Sequence, residues 1–345
     1  MARLISTRAL WTLARAGNLR ARVRANREGA TGIRLHLAGA AVESGVLDAL
    51  AAGAASESEV AARTGATDQA LLAAFLRVLA AAGLVSAGDG DRWRLTGRGR
   101  AVVEDDLVRA TYQAFPGFHT GLYRDLPAQL AGGPPRRDVA EQGAVIARIS
   151  AAFDPFVHDR LVRTLVERTP RRVLDVGCGA GLQLAAMLAA LPGAEGVGID
   201  ADAGAADLAR RTLRERGLAG RAHVVTTALR DAAADRAGPL GAAFDLAVLA
   251  NVVYYVPMEE RVDLLRDVRA LLAPGGTLFL VTTVAMPQLF SRHFDLLLRA
   301  QEGRMELSDT ATLLAQLRAA GFEPADAVPL APGTPVVTLT ARRTG

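Results

Sequence analysis

No lysine occurs anywhere in the 345 residues, so all 40 basic side chains are arginine. Pyridoxal-phosphate Schiff-base chemistry and a Walker A loop are excluded, because both need a lysine amine. Cys178 is the single cysteine, which excludes an internal disulfide framework and a cysteine-based zinc cluster. The histidines and acids show no metal-ligand spacing such as H-E-x-x-H, so no metal is expected. No window of about 18 or more residues is free of charges or breakers, so no transmembrane helix is expected. No uninterrupted apolar run or small-residue cleavage site follows the N-terminal arginines, which argues against a secretory signal. A cytoplasmic protein without integral membrane association is expected.

What is present suits two domains, at roughly 100–200 residues each. Hydrophobic residues make up 50% and charged residues 22%, enough for buried cores and too apolar for disorder. A net charge of +4 and a pI near 9.9 would suit a polyanion binder, but the excess is local. Residues 1–28 hold seven arginines (Arg3, Arg8, Arg15, Arg20, Arg22, Arg24, Arg27) against one acid, Glu28, so the remainder is −2. The body is near neutral, and no nucleic-acid partner is expected.

Residues 1–29 form a basic segment, with a helix predicted over 3–27 that carries Leu4, Trp11, Leu19 and Val23 among the arginines. Three readings compete: packing on the body or on a partner subunit, docking to a membrane surface or anionic partner, and a transit peptide, which fits the composition badly.

Residues 30–105 read as a small domain. A helix is predicted over 33–53 from Leu35, Leu37, Val42, Val46, Leu47 and Leu50. Ser56-Glu57-Ser58-Glu59 is a capping-box pattern that starts a short helix through Val60 and Arg63. After Gly65, Thr67 is expected to cap a third helix, with Leu71, Leu72, Phe75, Leu76, Val78 and Leu79 on its buried side. Gly83 ends it. Leu84–Ser86 and Trp93–Leu95 are strands around the turn Gly88-Asp89-Gly90-Asp91, and Thr96 starts another helix. Three helices and then a hairpin is the winged-helix order. A third helix that reads DNA wants several arginines or polar side chains. This one offers Asp68, Gln69 and only Arg77, so a dimerisation or substrate-lid module is expected instead.

Residues 106–165 connect the domains. Gly132-Gly133-Pro134-Pro135 is a breaker, and Val139–Ile149 and Phe156–Val166 look helical. Tyr112, His119, Tyr123, Glu141, Asp154 and His158 lie on this segment. They could face a substrate pocket between the domains or serve as interface hydrogen bonders, and for each alone the interface reading is favoured.

The most informative stretch is Arg172-Val173-Leu174-Asp175-Val176-Gly177-Cys178-Gly179-Ala180-Gly181. A short strand, Val173–Val176, runs into glycines that permit a tight turn and are expected to bring backbone N–H groups against a ligand. Leu182–Leu191 follows as a helix, then the strand Gly196–Ile199 and Asp200. An acid about 20 residues beyond such a loop accepts hydrogen bonds from ribose hydroxyls. The pattern Gly177-x-Gly179-x-Gly181, without a phosphate-gripping side chain, fits a nucleoside that carries no phosphate.

Asp175–Gly181, with Asp200 after the second strand, resembles motifs I and II of class I S-adenosylmethionine-dependent methyltransferases. Phe244–Leu249 looks like the fourth strand of that fold, Leu272–Val281 like the turn into the fifth, Gly321-Phe322-Glu323 like the approach to a sixth, and Pro335–Ala341 like the seventh. The resemblance covers the domain 166–345. It implies a Rossmann-like α/β fold with a seven-stranded sheet. With the winged-helix-like front it extends to the small-molecule O-methyltransferase branch, in which that front dimerises and helps cover the substrate. It implies S-adenosyl-L-methionine as cofactor, a small-molecule acceptor, a homodimer, and a place in bacterial secondary metabolism. The alternative is a cofactor-binding protein of this fold with non-methylating chemistry.

The resemblance also implies roles. Gly177, Gly179 and Gly181 would lie along the methionine and ribose, Asp175 would organise the loop and the ammonium group, and Asp200 would bind the ribose. Asn251 would lie near the methionine end. The acid that the family often places after the third strand is missing, so adenine recognition would fall to Thr227 or to backbone. The family's common histidine base after the fourth strand is replaced by Tyr254 or Tyr255. A base then comes from His119, His158 or His293, with His293 on the lid segment preferred. Otherwise the acceptor needs little deprotonation and a tyrosine positions it, or the chemistry is not methylation. Cys178 reads as a small filler in the loop, and His223 as a structural residue before the third strand.

Overall fold

The computed structural model of the chain describes residues 6–88 and 91–345. Arg3 and Leu4 of the basic segment, and Asp89 and Gly90 of the hairpin turn, lie outside the described residues. The chain divides into two compact units, Met1–Asp125 and Leu126–Gly345.

In the first unit the helix predicted over 3–27 is broken. A helix Thr7–Arg15 ends before Gly17 and Asn18, both in the left-handed region with φ of 65° and 55°. The next helix, Leu19–Glu43, runs straight through the expected segment boundary at residue 29. It is followed by the helix Val46–Ala51. The capping box is present: Glu59 N–H donates to Ser56 Oγ at 3.2 Å, and Ser56 N–H donates to Glu59 Oε2 at 2.7 Å. The helix Gln69–Ala81 is capped by Asp68 rather than Thr67, whose side chain stands one residue too early to reach the N–H of Leu71. Its buried stripe is Leu72, Ala73, Leu76 and Leu79, whereas Leu71 and Val78 are 67% and 47% exposed. Thr96 caps the helix Gly97–Glu104 as expected.

Three short strands, β1 (Ala55–Ser56), β2 (Val85–Ala87) and β3 (Arg92–Leu95), form an antiparallel sheet in the order β1-β3-β2. Leu47, Leu50, Val60, Leu76, Leu79, Leu84 and Val102 form the core beneath it.

The second unit begins with helices, among them Asp138–Glu141, Gly143–Ser150 and Asp154–Arg168. Its sheet is built from β4 (Arg172–Val176), β5 (Glu195–Asp200), β6 (Ala222–Thr226), β7 (Phe244–Ala250), β8 (Leu272–Thr283), β9 (Phe322–Pro324), β10 (Val328–Pro329) and β11 (Val336–Arg343). The order is β10-β11-β8-β7-β4-β5-β6, with β9 also on β11. Strands β6, β5, β4, β7 and β8 are mutually parallel, and β11 is antiparallel to β8. The count is eight rather than seven because the expected sixth strand comes in two pieces, β9 and β10, both antiparallel to β11. Each piece ends at a proline, Pro324 or Pro329, which cannot donate to the ladder. His223 lies within β6, not before it, and is exposed.

The parallel strands are apolar on both faces, as a sheet covered on both sides requires. Leu174, Val176, Val197, Ile199, Ala247 and Leu249 belong to one core cluster, and Val173, Leu246, Val248, Phe279 and Val281 to another. The order of strands reverses at β4, which lies between β5 and β7. A crevice at the carboxyl ends of such strands is where ligands bind in open α/β sheets.

Candidate functional site

β4 delivers the glycine loop to that crevice. Gly177, Gly179 and Gly181 have φ of 67°, 51° and 74°, a region that side-chain-bearing residues adopt only at a cost. Gly177 is held by contact as well: a Cβ there would stand 2.8 Å from Val252 Cγ2. The N–H groups of the loop do not face a ligand as expected. Gly177 and Cys178 donate to Ile199 O at 2.9 and 3.0 Å, Gly181 to Cys178 O at 2.7 Å, and Gly179 to Asp200 Oδ2 at 2.9 Å. The reason is geometric: β5 ends beside the turn, where Ile199 O and the Asp200 carboxylate take three of the donors, and Cys178 O within the loop takes the fourth. These four N–H groups leave no anion-gripping nest of the kind a phosphate needs.

Asp200 accepts a second backbone N–H, from Asp202 to Oδ1 at 3.0 Å, so each carboxylate oxygen keeps one lone pair for a further donor. Asp175 is 2% exposed and accepts the N–H of Leu184 at 3.1 Å. Burial pushes its carboxyl up to about 7, with the negative charge of Asp200 adding to the effect against the Leu184 hydrogen bond. Burial, then Asp175 and Asp200, push the Cys178 thiol up, which makes it no nucleophile at neutral pH.

β7 ends in a different kind of turn. Asn251 adopts φ of 58° with a side chain in place, and its N–H donates to Val281 O at 2.8 Å. The single helical turn Val253–Tyr255 then sends the two tyrosines to different surroundings. Tyr254 is buried against Phe294, Leu298 and Leu307, while the rings of the pair meet edge-on at 4.6 Å. Burial raises both hydroxyl pKa values above the ordinary 10, Tyr254 furthest, and their mutual hydrogen bond raises Tyr254 and lowers Tyr255. Neither is a base at neutral pH.

One cavity of about 380 Å³ collects much of this chemistry: Asp175, Gly177, Cys178, Asp200, Asn251 and Tyr255 line it. Its other wall is Val139, Gly143, Ile146, Ser150 and Asp154, together with Gln183. Gly179 and Gly181 shape the loop without being part of the lining. Thr227 sits at the end of β6, where its N–H donates to Asp200 O at 2.9 Å. Tyr254 and His293 stand away from the lining of this cavity. His293 lies on the helix Leu289–Arg299, half-buried, and burial lowers its pKa from 6.5. His119 is buried between Phe115 and Phe118 in the first unit, with ring centroids 4.6 Å from each. Among the described residues no three His, Cys, Asp or Glu side chains are placed to hold a metal ion.

Gln183 was not singled out by the sequence, and Asp154 only as one of six polar residues on a connector. Positions 139, 143, 146, 150 and 154 repeat at helical spacing, but the chain carries them on three helices, Asp138–Glu141, Gly143–Ser150 and Asp154–Arg168, so no single helix face announces them.

Comparison with known proteins agrees with this architecture. Residues 174–278 match a family model described as a methyltransferase domain. A release factor glutamine methyltransferase of Rhodospirillum rubrum is 37% identical over 195 residues, covering 47% of this chain and 57% of the relative. The chain thus spans little more than half the length of that curated relative. Among solved structures, the mitomycin 7-O-methyltransferase superposes with a TM-score of 0.77 at 21% identity, covering 96% of this chain and all of that one. An O-methyltransferase of neocarzinostatin biosynthesis, in complex with S-adenosylmethionine and 2-hydroxy-5-methyl naphthoic acid, gives 0.64 at 22% identity, covering 92% and 96%. The matched domain, the strand order and the glycine loop assign the chain to the Rossmann-like class I methyltransferase fold.

Proposed function

We propose that the protein is an S-adenosylmethionine-dependent methyltransferase acting on a small molecule. The observation that carries this reading is the cavity at the ends of β4, β5 and β7. It joins the tight glycine turn, an acid with free lone pairs, and a wall without any basic side chain. Such a lining suits a nucleoside bearing a positive charge and no phosphate. Bound there, S-adenosylmethionine supplies an electrophilic methyl group. Asp200 would hold the ribose hydroxyls, Gly177, Gly179 and Gly181 would admit the chain between ribose and methionine, and Asn251 would lie near the methionine end. Thr227, beside Asp200, would border the adenine.

For the transfer itself, the residues must align the acceptor and exclude water. Tyr255 lines the cavity and would orient the acceptor or cofactor, with the Tyr254 ring packed edge-on against it. His293, on the helix Leu289–Arg299 outside the cavity's lining, is the base we assign, on the reading that this helix overhangs the acceptor; burial favours its neutral imidazole, the form that accepts a proton. The first unit, with its helices and three-stranded sheet in winged-helix order, would form a homodimer through exposed apolar residues such as Ile33, Leu71 and Val78. A cytoplasmic role in bacterial secondary metabolism completes the reading. Among the described residues no helix is long and apolar enough to cross a membrane.

Two measurements test it. Light scattering should report a dimer at micromolar concentration, and a monomer would refute the assembly. Incubation with S-adenosylmethionine and a panel of phenols, enols, carboxylic acids and aromatic amines should give a methylated product by mass spectrometry. Cofactor binding without product from any of these classes would favour non-methylating chemistry on the same fold.

A further inference from the structure

Asp154 and Gln183 line the same cavity as the glycine loop, from the helices Asp154–Arg168 and Leu182–Ala190. Gln183 Nε2 donates to Asp154 Oδ1 at 3.2 Å. That contact sets the amide's orientation, since only its nitrogen can serve a carboxylate. It leaves Gln183 Oε1 buried with no hydrogen-bond partner. The next residue, Leu184, gives its N–H to Asp175. Asp175, almost wholly buried, lines the cavity and has one carboxylate oxygen with no protein donor. His158, one turn beyond Asp154 on the same helix, lies close enough to favour the Asp154 charge, as does the Gln183 hydrogen bond. Burial still holds the Asp154 carboxyl above its ordinary range.

Two carboxylates and an amide oxygen are thus gathered at one cavity from three elements, Asp154 from the helix Asp154–Arg168, Asp175 from β4 and Gln183 from the helix Leu182–Ala190, each with acceptor capacity that the protein leaves unused. None of the 40 arginines is among the cavity's lining residues. Buried acceptors without donors are rare in folded proteins, and where they face a cavity a ligand is the natural donor. The complement of three acceptors, two of them carboxyl groups whose ionised forms a cation would favour, is a primary ammonium group, which has three N–H donors and one positive charge.

We propose that Asp154 and Gln183, acting with Asp175, form the subsite that recognises the ammonium group of the cofactor's amino-acid portion. The subsite rests on the reading of the cavity as an S-adenosylmethionine site. It places recognition of that group on the helix before β4 as well as on the glycine loop. Asp154 supplies charge, Gln183 Oε1 accepts an N–H, and the Gln183 amide nitrogen keeps Asp154 pointed at the ligand.

Calorimetric titration with two probes tests it: S-adenosylhomocysteine, and the same compound lacking only its amino group. In Asp154→Asn, affinity for S-adenosylhomocysteine should fall about 10–100-fold, the range for loss of a charge-assisted partner. Affinity for the deaminated probe should stay within about twofold of wild type, which also shows that the variant is folded. Gln183→Leu should show the same discrimination with a smaller loss. Equal losses for both probes, or an unchanged affinity for S-adenosylhomocysteine, would overturn the subsite while leaving the cofactor reading intact. A wild-type protein that binds neither probe would overturn the cofactor reading and the subsite together.

Discussion

Strands β4 and β7 are neighbours in the sheet and end at the same cavity, yet they leave it in opposite ways. After β4 the chain uses glycine at every left-handed position and ties its N–H groups to β5. After β7 it forces an asparagine into the left-handed region and follows it with two tyrosines. The first turn is a backbone device, shaped so that a ligand can come close. The second is a side-chain device, which holds a hydroxyl at the cavity. The two touch: Val252, after β7, occupies the space that a side chain on Gly177 would need. In the proposed reading, binding and chemistry are built on adjacent strand ends, and each can be broken separately.

The largest expected effect belongs to the β4 side. Asp175 has a folded pKa of about 7 against an ordinary 3.8. Between these values the native protein keeps a proton that the unfolded chain has lost. Stability of the ligand-free protein therefore falls as pH rises through this window and levels off above it. Asp175→Asn has no such proton to lose. Relative to that variant, the wild type should lose up to about 4 kcal/mol between pH 4 and pH 8, at about 1.4 kcal/mol per unit. Denaturant melts of both proteins across this range check the sign; parallel curves would mean that the carboxyl is not strained by burial.

Next comes the contact between the turns. Gly177→Ala combines a left-handed alanine with a clash against Val252 and should cost about 2–4 kcal/mol. Gly179→Ala meets open space and should cost only the backbone part, about 1–2 kcal/mol. Thermal unfolding that ranks the two equally would deny any coupling between the β4 and β7 turns.

On the β7 side, Tyr255→Phe should lower turnover about tenfold without moving the pH–rate profile, since positioning and not proton transfer is lost. Tyr254→Phe should do less, because Tyr254 is buried beside Tyr255 and outside the cavity lining, and phenylalanine keeps its ring packing. His293→Ala should abolish activity on an acceptor that must be deprotonated and leave cofactor affinity unchanged. A profile from pH 6 to 8 that is flat, with normal turnover in this variant, would remove His293 as base. The smallest effect is at Asn251. Asn251→Gly should be neutral or slightly stabilising, and Asn251→Ala should be about 1 kcal/mol less stable than the glycine variant.

The same contrast explains what could be read from the sequence. Left-handed turns at close approach admit little but glycine, so the loop 177–181 and the acid at Asp200 stood out by residue type and spacing. The Ser56–Glu59 cap was legible for a similar reason: a side chain three residues away satisfies a backbone donor. The direction of the loop's N–H groups was not legible, because it depends on where β5 ends beside the turn. Tyr254 and Tyr255 are equivalent in a linear reading, and only the helical turn between β7 and Pro257 sends one to the cavity and the other into the core. Asp154 was lost among polar residues of a connector, because a helix face gains meaning only from what it covers. The broken sixth strand was hidden in part by spacing, since Pro324 and Pro329 mark the ends of two short pieces that pair with one edge.

The central claim is that this cavity binds S-adenosylmethionine with Asp200 on the ribose. Calorimetric titration of wild type and Asp200→Asn with S-adenosylmethionine tests it directly. Asparagine keeps an acceptor for the loop N–H but loses the charge, so the variant should bind about 1.5–3 kcal/mol more weakly than a wild type that binds one equivalent. A wild type that does not bind, or a variant with unchanged affinity, would contradict the account.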